Sequence, residues 1–503
     1  MKIRSNGLFL LFGMLICHLS KAQTHDNRPY HEGYRPQVHF SPKEHWTNDP
    51  NGMVYYKGTY HLFFQYYPKG ITWGPMHWGH ATSHDLTHWK ELPIALYPDS
   101  LGYIFSGSAV VDSNNTSGFG KDGKIPLVAI FTHHDPKGEK AGRNDFQNES
   151  IAYSLDEGNT WIKYAGNPVL KNTGIRDFRD PKVMWYAREK KWVMTLATLD
   201  HITFFSSPNL KDWKKESEFG KEIGAHGGVW ECPDMFPLKL NGKTYWIVIG
   251  NLNPGGPNGG SATQYFIGEF DGSKFTPMDT DTRWLDYGPD EYAGITWSNT
   301  GNRKIFFGWM SNWQYANQVP TEKWRNAMTI PKELRLKLVD GKIFLISKPV
   351  KELASIEEAP IKTNNALIKQ KGTKNLPGQF LLKFNIEKLN DYSIILSNEK
   401  GDKLIIGYDQ AGNRYYIDRT QSGKVDFNPD FAKIAYAPRL TKASTSDSEL
   451  IVDTSSIELF TDDGLSIMTS VFFPNTPYKR LQIQTRKGVI IKNIKLLPLK
   501  SIW

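Results

Sequence analysis

Short apolar and aromatic runs that alternate with polar residues dominate the chain between His39 and Ile346. Residues 60–66 and 191–195 are examples, and Gly, Pro, Asn or Asp follow most such runs. No stretch keeps apolar residues at a helical spacing for more than two turns. The pattern therefore predicts a region of many short β-strands joined by turns.

A degenerate repeat divides this region. Each copy is a polar turn that closes on an aromatic residue, at Trp89, Trp161, Trp213 and Phe275, and these positions are separated by 72, 52 and 62 residues. Such spacing fits one four-stranded blade per repeat, with the turn joining the two outer strands. About 300 residues at about 60 per blade predict a five-bladed β-propeller over residues 32–346.

A second strand-rich region follows a change in composition. Residues 347–362 are rich in Lys, Glu, Ala and Pro, which predicts a linker with a short helix. Runs such as 380–384 and 404–408 then alternate with turns, so residues 363–503 are predicted to form a β-sandwich, and the fold class is all-β. This region has no cluster of acidic, His or Cys side chains, so we expect it to give structural support, with sugar binding as the alternative.

The first 22 residues have the pattern of an export signal. A positively charged start precedes an apolar run at 8–19, and Ser20-Lys21-Ala22 offers small residues for cleavage after Ala22. The apolar run is too short to span a membrane, and no later segment qualifies. We therefore expect a periplasmic or extracellular protein. Lipid attachment at Cys17 is the alternative, although no small residue directly precedes that cysteine.

Removal of this segment changes the charge and the cysteine count. The formal net charge of +9 falls to +6, because the segment contains Lys2, Arg4 and Lys21 but no acidic residue. Spread over the remaining chain without a basic block, this charge does not indicate a nucleic-acid-binding protein. Cys232 remains as a single cysteine, which excludes an intramolecular disulfide.

Three short acidic motifs carry the candidate chemistry. They lie at residues 46–52, 179–181 and 230–234, and each places a carboxylate beside a proline or glycine, where the backbone turns. Cleavage of a glycosidic bond needs two cooperating carboxyl groups, one to protonate the leaving oxygen and one to act at the anomeric carbon. A third carboxylate beside an arginine is suited to holding sugar hydroxyls.

With these motifs the chain resembles glycoside hydrolase family 32, the invertase, inulinase and levanase group, over nearly its whole mature length. Further matching segments are 105–108, 255–265 and 309–317. The resemblance implies a five-bladed propeller followed by a β-sandwich, which agrees with the strand pattern.

The resemblance also implies a retaining mechanism. Asp49 would be the nucleophile that forms a covalent fructosyl-enzyme, and Glu231 the general acid and then the base. Retention predicts that the two carboxyl groups lie about 5–5.5 Å apart. We expect Asn48 to favour ionised Asp49 by a hydrogen bond, and apolar walls to favour protonated Glu231.

Other residues match the fructose pocket of this family. Asp180 would hold fructose hydroxyls and stabilise the transition state, and we count it with the catalytic group. The implied binding residues are Asn48, Gln65, Trp73, Phe105, Ser106, Arg179 and Trp313. We predict neither a metal nor a cofactor, because the glycine-rich segment 255–260 lacks the Lys-Ser/Thr of a phosphate loop and His133-His134 lacks zinc-ligand spacing. The segment 255–260 is instead expected near the mouth of the pocket.

Several functions remain open at this point. The first is exo-acting release of terminal β-D-fructofuranosyl units from fructans (levan or inulin), with sucrose as a further substrate. An endo-acting levanase or inulinase is the alternative within the same chemistry. A non-catalytic sugar-binding propeller and an inverting five-bladed glycosidase are alternatives from other classes. Linkage preference and oligomeric state depend on features outside these motifs.

Overall fold

The computed structural model describes residues 29–362, 372–373, 375–486 and 488–503. The predicted export signal and the first residues of the predicted sandwich lie outside this set. In the described part of the chain, no helix is both long enough and apolar enough to cross a membrane.

The N-terminal region folds into five sheets that follow one another along the chain. The first contains β1 (His45–Tyr56), β2 (Thr59–Tyr67), β3 (His77–Ser83) and β4 (Lys90–Leu96). The second contains β5 (Tyr103–Val111), β6 (Leu127–His134), β7 (Gln147–Ser154) and β8 (Ile162–Lys163), with the short helix α1 (Pro136–Lys140) between β6 and β7. The third contains β9 (Phe178–Tyr186), β10 (Lys191–Thr198), β11 (His201–Ser207) and β12 (Lys214–Phe219).

The last two sheets each have an extra short strand. The fourth contains β13 (Val229–Leu240), β14 (Lys243–Asn253), β15 (Ala262–Phe270), β16 (Phe275–Pro277) and β17 (Arg283–Trp284). The fifth contains β18 (Tyr292–Thr296), β19 (Ile305–Met310), β21 (Ala327–Met328), β22 (Lys332–Val339) and β23 (Lys342–Pro349). One further strand, β20 (Trp324–Arg325), follows β19 in the chain but belongs to the first sheet, where it pairs in parallel with the start of β1.

The first strands of the five sheets close a ring. In the order β1, β5, β9, β13 and β18, each contacts the next, and β18 contacts β1. The pairing of β20 with β1 ties the last sheet to the first. This closed ring of five blades confirms the predicted propeller.

The sequence repeat coincides with the blades. Trp89, Trp161 and Trp213 immediately precede the fourth strands of their blades, and Phe275 begins β16. The serine that opens each of the first three turns accepts a hydrogen bond from the backbone N–H two residues later. The repeat therefore marks the hairpin between the two outer strands, as predicted.

In the residues that the structure describes, the C-terminal region is a sandwich of two five-stranded sheets. One sheet contains β24 (Phe380–Lys388), β29 (Ser446–Val452), β30 (Ser456–Thr461), β31 (Ser466–Val471) and β33 (Ile490–Pro498). The other contains β25 (Tyr392–Ser397), β26 (Lys403–Asp409), β27 (Arg414–Gln421), β28 (Ile434–Pro438) and β32 (Arg480–Thr485). Alternate residues of both sheets, such as Leu382, Ile394 and Ile406, point inward and form one core.

The segment between the two regions is packed against both. β23 runs to Pro349, so the first three residues of the predicted linker are strand, and a 3₁₀ helix spans Lys351–Ile356. Leu353 and Ile356 are buried in a cluster that also contains propeller residues and Phe460 of the sandwich. The two regions therefore share an apolar interface.

Candidate active site

The five inner strands share an irregularity that the hydrophobic pattern does not reveal. Each has at least one extra residue relative to its partner strand, which is the signature of a β-bulge, and β1 has a second bulge at Asn51–Val54. The bulges span Thr47–Pro50, Ile104–Gly107, Arg179–Lys182, Glu231–Asp234 and Tyr292–Ile295. A bulge bends the strand and redirects its side chains, so all five blades present residues to one site.

These bulges explain why the acidic motifs contain proline. Pro50, Pro181 and Pro233 all lie within bulges. Four of the inner strands lie at the edges of their sheets, namely β5, β9, β13 and β18. β20 pairs with only the first two residues of β1. A proline without an N–H is tolerated on an edge strand or at a bulge. Asp180 and Cys232, inside two of these bulges, adopt positive φ values of 65° and 41°, which are uncommon for residues other than glycine.

Asp49 is held by two neutral donors. Ser106 Oγ donates to Oδ2 at 2.7 Å, and Asn48 Nδ2 donates to Oδ1 at 2.9 Å. The Sγ of Cys232 lies 3.5 Å from Oδ2. The carboxyl group is thus fixed in orientation without a direct cation.

Glu231 and Asp180 are connected through one guanidinium group. Arg179 donates from Nε and Nη2 to Oε1 of Glu231 at 3.1 and 3.0 Å, and its Nε lies 3.9 Å from Oδ2 of Asp180. Asp180 also accepts the backbone N–H of Cys232 at 3.0 Å. The other oxygen of Glu231, Oε2, accepts a short hydrogen bond from the Tyr292 hydroxyl. The expectation of apolar walls around Glu231 is therefore wrong.

The three carboxyl groups perturb one another. Burial, followed by the charge of Glu231, raises the pKa of Asp49, and the hydrogen bonds from Ser106 and Asn48 offset this only in part. Burial also raises the pKa of Asp180 to about 7, with Glu231 and Asp49 acting in the same direction and Arg179 against them. Asn48 therefore favours ionised Asp49 through its hydrogen bond, as expected, but burial is the larger effect and raises the pKa of Asp49 overall.

All the predicted site residues line one cavity of about 340 Å³. Asp49, Asp180, Glu231 and Arg179 are joined there by Asn48, Gln65, Trp73, Phe105, Ser106 and Trp313. The Nε2 atom of Gln65 is buried and has no hydrogen-bond partner in the structure, so it is available to a bound hydroxyl. Trp73 is 41% exposed at the mouth of the cavity and forms an edge contact with Phe105.

Sequence reasoning missed part of the lining and one contact. The additional lining residues are His134, Glu139, Phe146, Gln147, Arg176, Asp177 and Asn253. His134 was considered only as a zinc ligand, whereas its ring stacks on Phe105 at 4.3 Å. Asn253 lies two residues before the segment 255–260, whose position near the mouth stays a prediction. Tyr292 had no motif to identify it, although its position in the fifth bulge matches that of Glu231 in the fourth.

The fold and the paired carboxyl groups define a glycosidase of the propeller type, and comparison with known proteins identifies its family. The family model "Glycosyl hydrolases family 32 N-terminal domain" matches residues 39–349, and "Glycosyl hydrolases family 32 C terminal" matches residues 350–498. The chain belongs to glycosyl hydrolase family 32, so the resemblance found in the sequence is confirmed.

Individual relatives extend this finding. A levanase of Bacillus subtilis is 45% identical over 521 residues, covering 100% of this chain and 76% of that protein. The extracellular exo-inulinase of Aspergillus niger is 43% identical over 509 residues, covering 93% of this chain and 94% of that protein. The crystal structure of exo-inulinase from Aspergillus awamori superposes with a TM-score of 0.86 at 38% identity, covering 95% of this chain and 100% of that one.

Proposed function

We propose that this protein is an exo-acting β-fructosidase that releases terminal β-D-fructofuranosyl units from fructans of the levan or inulin type, and from sucrose. The observation that carries the proposal is the convergence of Asp49, Asp180 and Glu231 in one cavity of about 340 Å³. Relatives that are a levanase and exo-inulinases, similar over nearly the whole chain, support the same activity.

In the proposed mechanism Asp49 attacks the anomeric C2 of the fructosyl unit while Glu231 gives a proton to the leaving oxygen. The fructosyl group is then bound covalently to Asp49. In the second half-reaction Glu231 takes a proton from water, which attacks C2 and releases Asp49. The hydrogen bonds from Ser106 and Asn48 stabilise the Asp49 carboxylate each time it is released.

The charge balance of the site supports a mechanism in which one carboxyl group is protonated when the reaction begins. The pocket contains Asp49, Asp180 and Glu231 beside the guanidinium group of Arg179, which also contacts Asp177 at 2.6 Å. Full ionisation would therefore leave an excess of negative charge. Retention of one proton removes much of this repulsion. When Glu231 holds that proton, its charge no longer raises the pKa of Asp49, and the nucleophile ionises more readily.

Asp180 is proposed to bind rather than to react. Its carboxylate would accept hydrogen bonds from fructose hydroxyls, and Arg179 would hold both Asp180 and Glu231 in place. This contact strengthens as the sugar ring flattens toward the transition state. Asp180→Asn should therefore lower kcat more than it raises KM.

The products from polymeric substrates test exo against endo action. The protein is incubated with levan, inulin and sucrose, and the products are separated by chromatography over time. We expect free fructose as the only early product from both polymers. An early ladder of oligosaccharides would indicate endo action, and no fructose from any substrate would overturn the proposed function.

Transfer to methanol tests the covalent intermediate. With methanol present, a retaining enzyme forms methyl β-fructofuranoside, because the acceptor attacks the face that Asp49 leaves. Proton NMR of the isolated product distinguishes the β from the α anomer. The α anomer would overturn the assignment of Asp49 as nucleophile while leaving the fructosidase activity intact.

Export from the cytoplasm is proposed with the same activity. The pattern of residues 1–22 and the extracellular exo-inulinases among the relatives support it. N-terminal sequencing of the secreted protein is expected to begin at Gln23. A lipid-modified Cys17 at the N-terminus would support membrane anchoring instead.

A further inference from the structure

The mouth of the pocket has two sides that are built differently. On one side, Glu139, Phe146 and Arg176 come from α1 and from loops of the second and third blades. On the other side, Trp73 and Trp313 come from two loops of the propeller, and Asn253 is the last residue of β14. Hydrogen bonds join these segments to one another and to the sandwich. We call the second group the sandwich-side wall.

The first connection runs through Asn258, in the loop between β14 and β15. Its Nδ2 donates to the carbonyl of Tyr436 at 2.9 Å and to the carbonyl of Tyr287 at 2.6 Å. The backbone N–H of Tyr436 donates back to Asn258 Oδ1 at 2.9 Å. Tyr436 lies in β28, so the side chain of Asn258 pairs with a sandwich strand as a backbone amide would.

This loop holds two members of the wall through Ser261. The Ser261 hydroxyl donates to Asn253 Oδ1 at 3.2 Å and accepts the backbone N–H of Trp313 at 3.3 Å. Gly255 and Gly256 both donate their N–H groups to the carbonyl of Gly260, which closes the loop on itself. A displacement of Asn258 is therefore passed to Asn253 and Trp313 through a short, closed segment.

The second connection holds the segment that carries Trp313. Asn428 of the sandwich donates from Nδ2 to the carbonyl of Gln314 at 3.0 Å and to Oε1 of Gln318 at 2.6 Å. Arg419 of β27 donates to the Tyr315 hydroxyl at 2.7 Å. Gln314 and Tyr315, which follow Trp313, are thus bonded directly to sandwich residues. Trp313 itself is bonded to Ser261, in the loop that Asn258 attaches to the sandwich.

The third connection brings Trp73 into the same group. Its backbone N–H donates to Oδ1 of Asn317 at 2.9 Å, in the segment that Asn428 holds. Trp73 is 41% exposed at the mouth, where its ring also makes an edge contact with Phe105 of the propeller. Its contact with Asn317 makes its placement depend on the sandwich.

We propose that the sandwich is a positioning element for substrate binding, acting through Asn258 and Asn428 to set the sandwich-side wall. The inference rests on the proposed function, since it assigns this wall to the part of the substrate that extends from the cleaved bond toward the solvent. Asn258 and Asn428 are positioning residues, because they act through Asn253, Trp313 and Trp73 and do not reach the reacting carboxyl groups. A flat indole face and an amide are suited to stacking on and hydrogen-bonding a sugar ring.

The test compares Asn258→Ala and Asn428→Ala with the matched control Asn398→Ala. Asn398 also donates to a backbone carbonyl, of Thr476 at 2.6 Å, and to Asp402, but within the sandwich. For both wall variants we expect KM for levan or inulin oligosaccharides to rise about threefold to tenfold, while kcat stays within about twofold. The control should keep the wild-type KM, even if its Tm falls as much as that of the wall variants.

Amide hydrogen exchange provides a readout that does not need activity. Exchange in segments 255–260 and 312–318 should become faster in Asn258→Ala and Asn428→Ala, and remain as in the wild type in Asn398→Ala. Wild-type KM and wild-type exchange in Asn258→Ala would overturn the inference. If the wild type cleaves no fructoside, the proposed function fails, and unchanged exchange in both segments would then overturn the positioning role separately.

Discussion

Two buried groups of carboxylates in this molecule differ in how many cations accompany them. In the pocket, one guanidinium group, that of Arg179, contacts Asp177, Asp180 and Glu231, and Asp49 is held by neutral donors. Between propeller and sandwich, Asp453 and Glu458 are paired with cations of the propeller. His39 donates to Asp453 at 2.8 Å and contacts Glu458 at 3.0 Å, and Lys332 Nζ lies 2.8 Å from Glu458.

The pKa values follow this difference in pairing. Burial acts to raise the pKa of Glu458, but Lys332 and His39 outweigh it and lower the pKa to about 2. In the pocket, burial and mutual repulsion outweigh Arg179 and raise the pKa of Asp180 to about 7. Fully paired carboxylates remain charged and join two domains, whereas under-paired carboxylates keep a proton that chemistry can use.

The largest effect is expected from Glu231→Gln. The amide preserves the shape of the side chain but has no proton to give to the leaving oxygen, so kcat should fall about 10²- to 10⁴-fold. The stability should be unchanged or higher, because the amide cannot become a further negative charge in an under-paired cluster. Steady-state kinetics on sucrose and thermal unfolding measure the two quantities.

Glu149→Gln is the matched control for this variant. Glu149 is fully buried near Asp180, burial raises its pKa well above the usual range, and its Oε2 accepts a hydrogen bond from Thr132. A neutral amide therefore replaces a neutral acid, and we expect nearly wild-type kcat. Equal losses in the two variants would mean that Glu231 has no special proton-transfer role.

The paired carboxylates between propeller and sandwich should matter for stability and not for catalysis, in contrast to Glu231. Lys332→Met leaves Glu458 and Asp286 buried without their ammonium partner, which should lower the free energy of unfolding by about 3–5 kcal/mol. At a temperature where the variant is folded, its kcat should equal that of the wild type. Urea denaturation with the slope checked against the wild type measures the loss.

Lys337→Met provides the comparison for an exposed pair. Lys337 lies 2.7 Å from Asp463, and both side chains are 37% exposed. Solvent screens such a pair, so its loss should cost less than about 1 kcal/mol. Similar losses of unfolding free energy in Lys332→Met and Lys337→Met would mean that burial does not strengthen the ion pairs at the domain interface.

The interface should also impose a pH window on stability. Burial acts to lower the pKa of His39, but its hydrogen bonds to Asp453 and Glu458 raise the pKa from 6.5 to about 9. The contribution of His39, of about 3 kcal/mol, is therefore fully present below pH 6.5 and lost as the pH rises through 9. The contribution of Glu458, whose pKa is lowered from 4.5 to about 2, is present above pH 4.5 and lost as the pH falls through 2.

His39→Gln separates the histidine from its neighbours. Glu291, near Lys332, has a pKa that burial raises to about 8, so it also reduces stability at alkaline pH. The measured quantity is therefore the slope of unfolding free energy against pH between 7 and 9, compared between the wild type and His39→Gln. We expect a flatter slope in the variant, and identical slopes would exclude the assigned pairing of His39.

The sequence was most informative where local chemistry decides the structure. The turn that closes on Trp89, Trp161 or Trp213 is a local hairpin signal, and the blades were therefore predictable. The acidic residues were identified from short motifs beside proline or glycine, and these prolines lie at bulges, where a missing N–H is tolerated. Sequence could not predict the contact of Tyr292 with Glu231 or of Asn258 with Tyr436, because these depend on ladder register and on domain packing.

The sequence also did not predict that burial is the largest effect on the ionisation of Asp49. Ser106→Ala tests how much the hydrogen bond from Ser106 offsets that effect. Loss of the Ser106 donor should raise the pKa of Asp49 further, because the hydrogen bond stabilises its charged form. Since the nucleophile must be ionised, the acid limb of the kcat/KM profile should move to higher pH. Ser108→Ala is the control, because Ser108 lies on the same strand but donates to the carbonyl of Pro181. An acid limb that stays in place in Ser106→Ala would mean that burial alone sets the ionisation of the nucleophile.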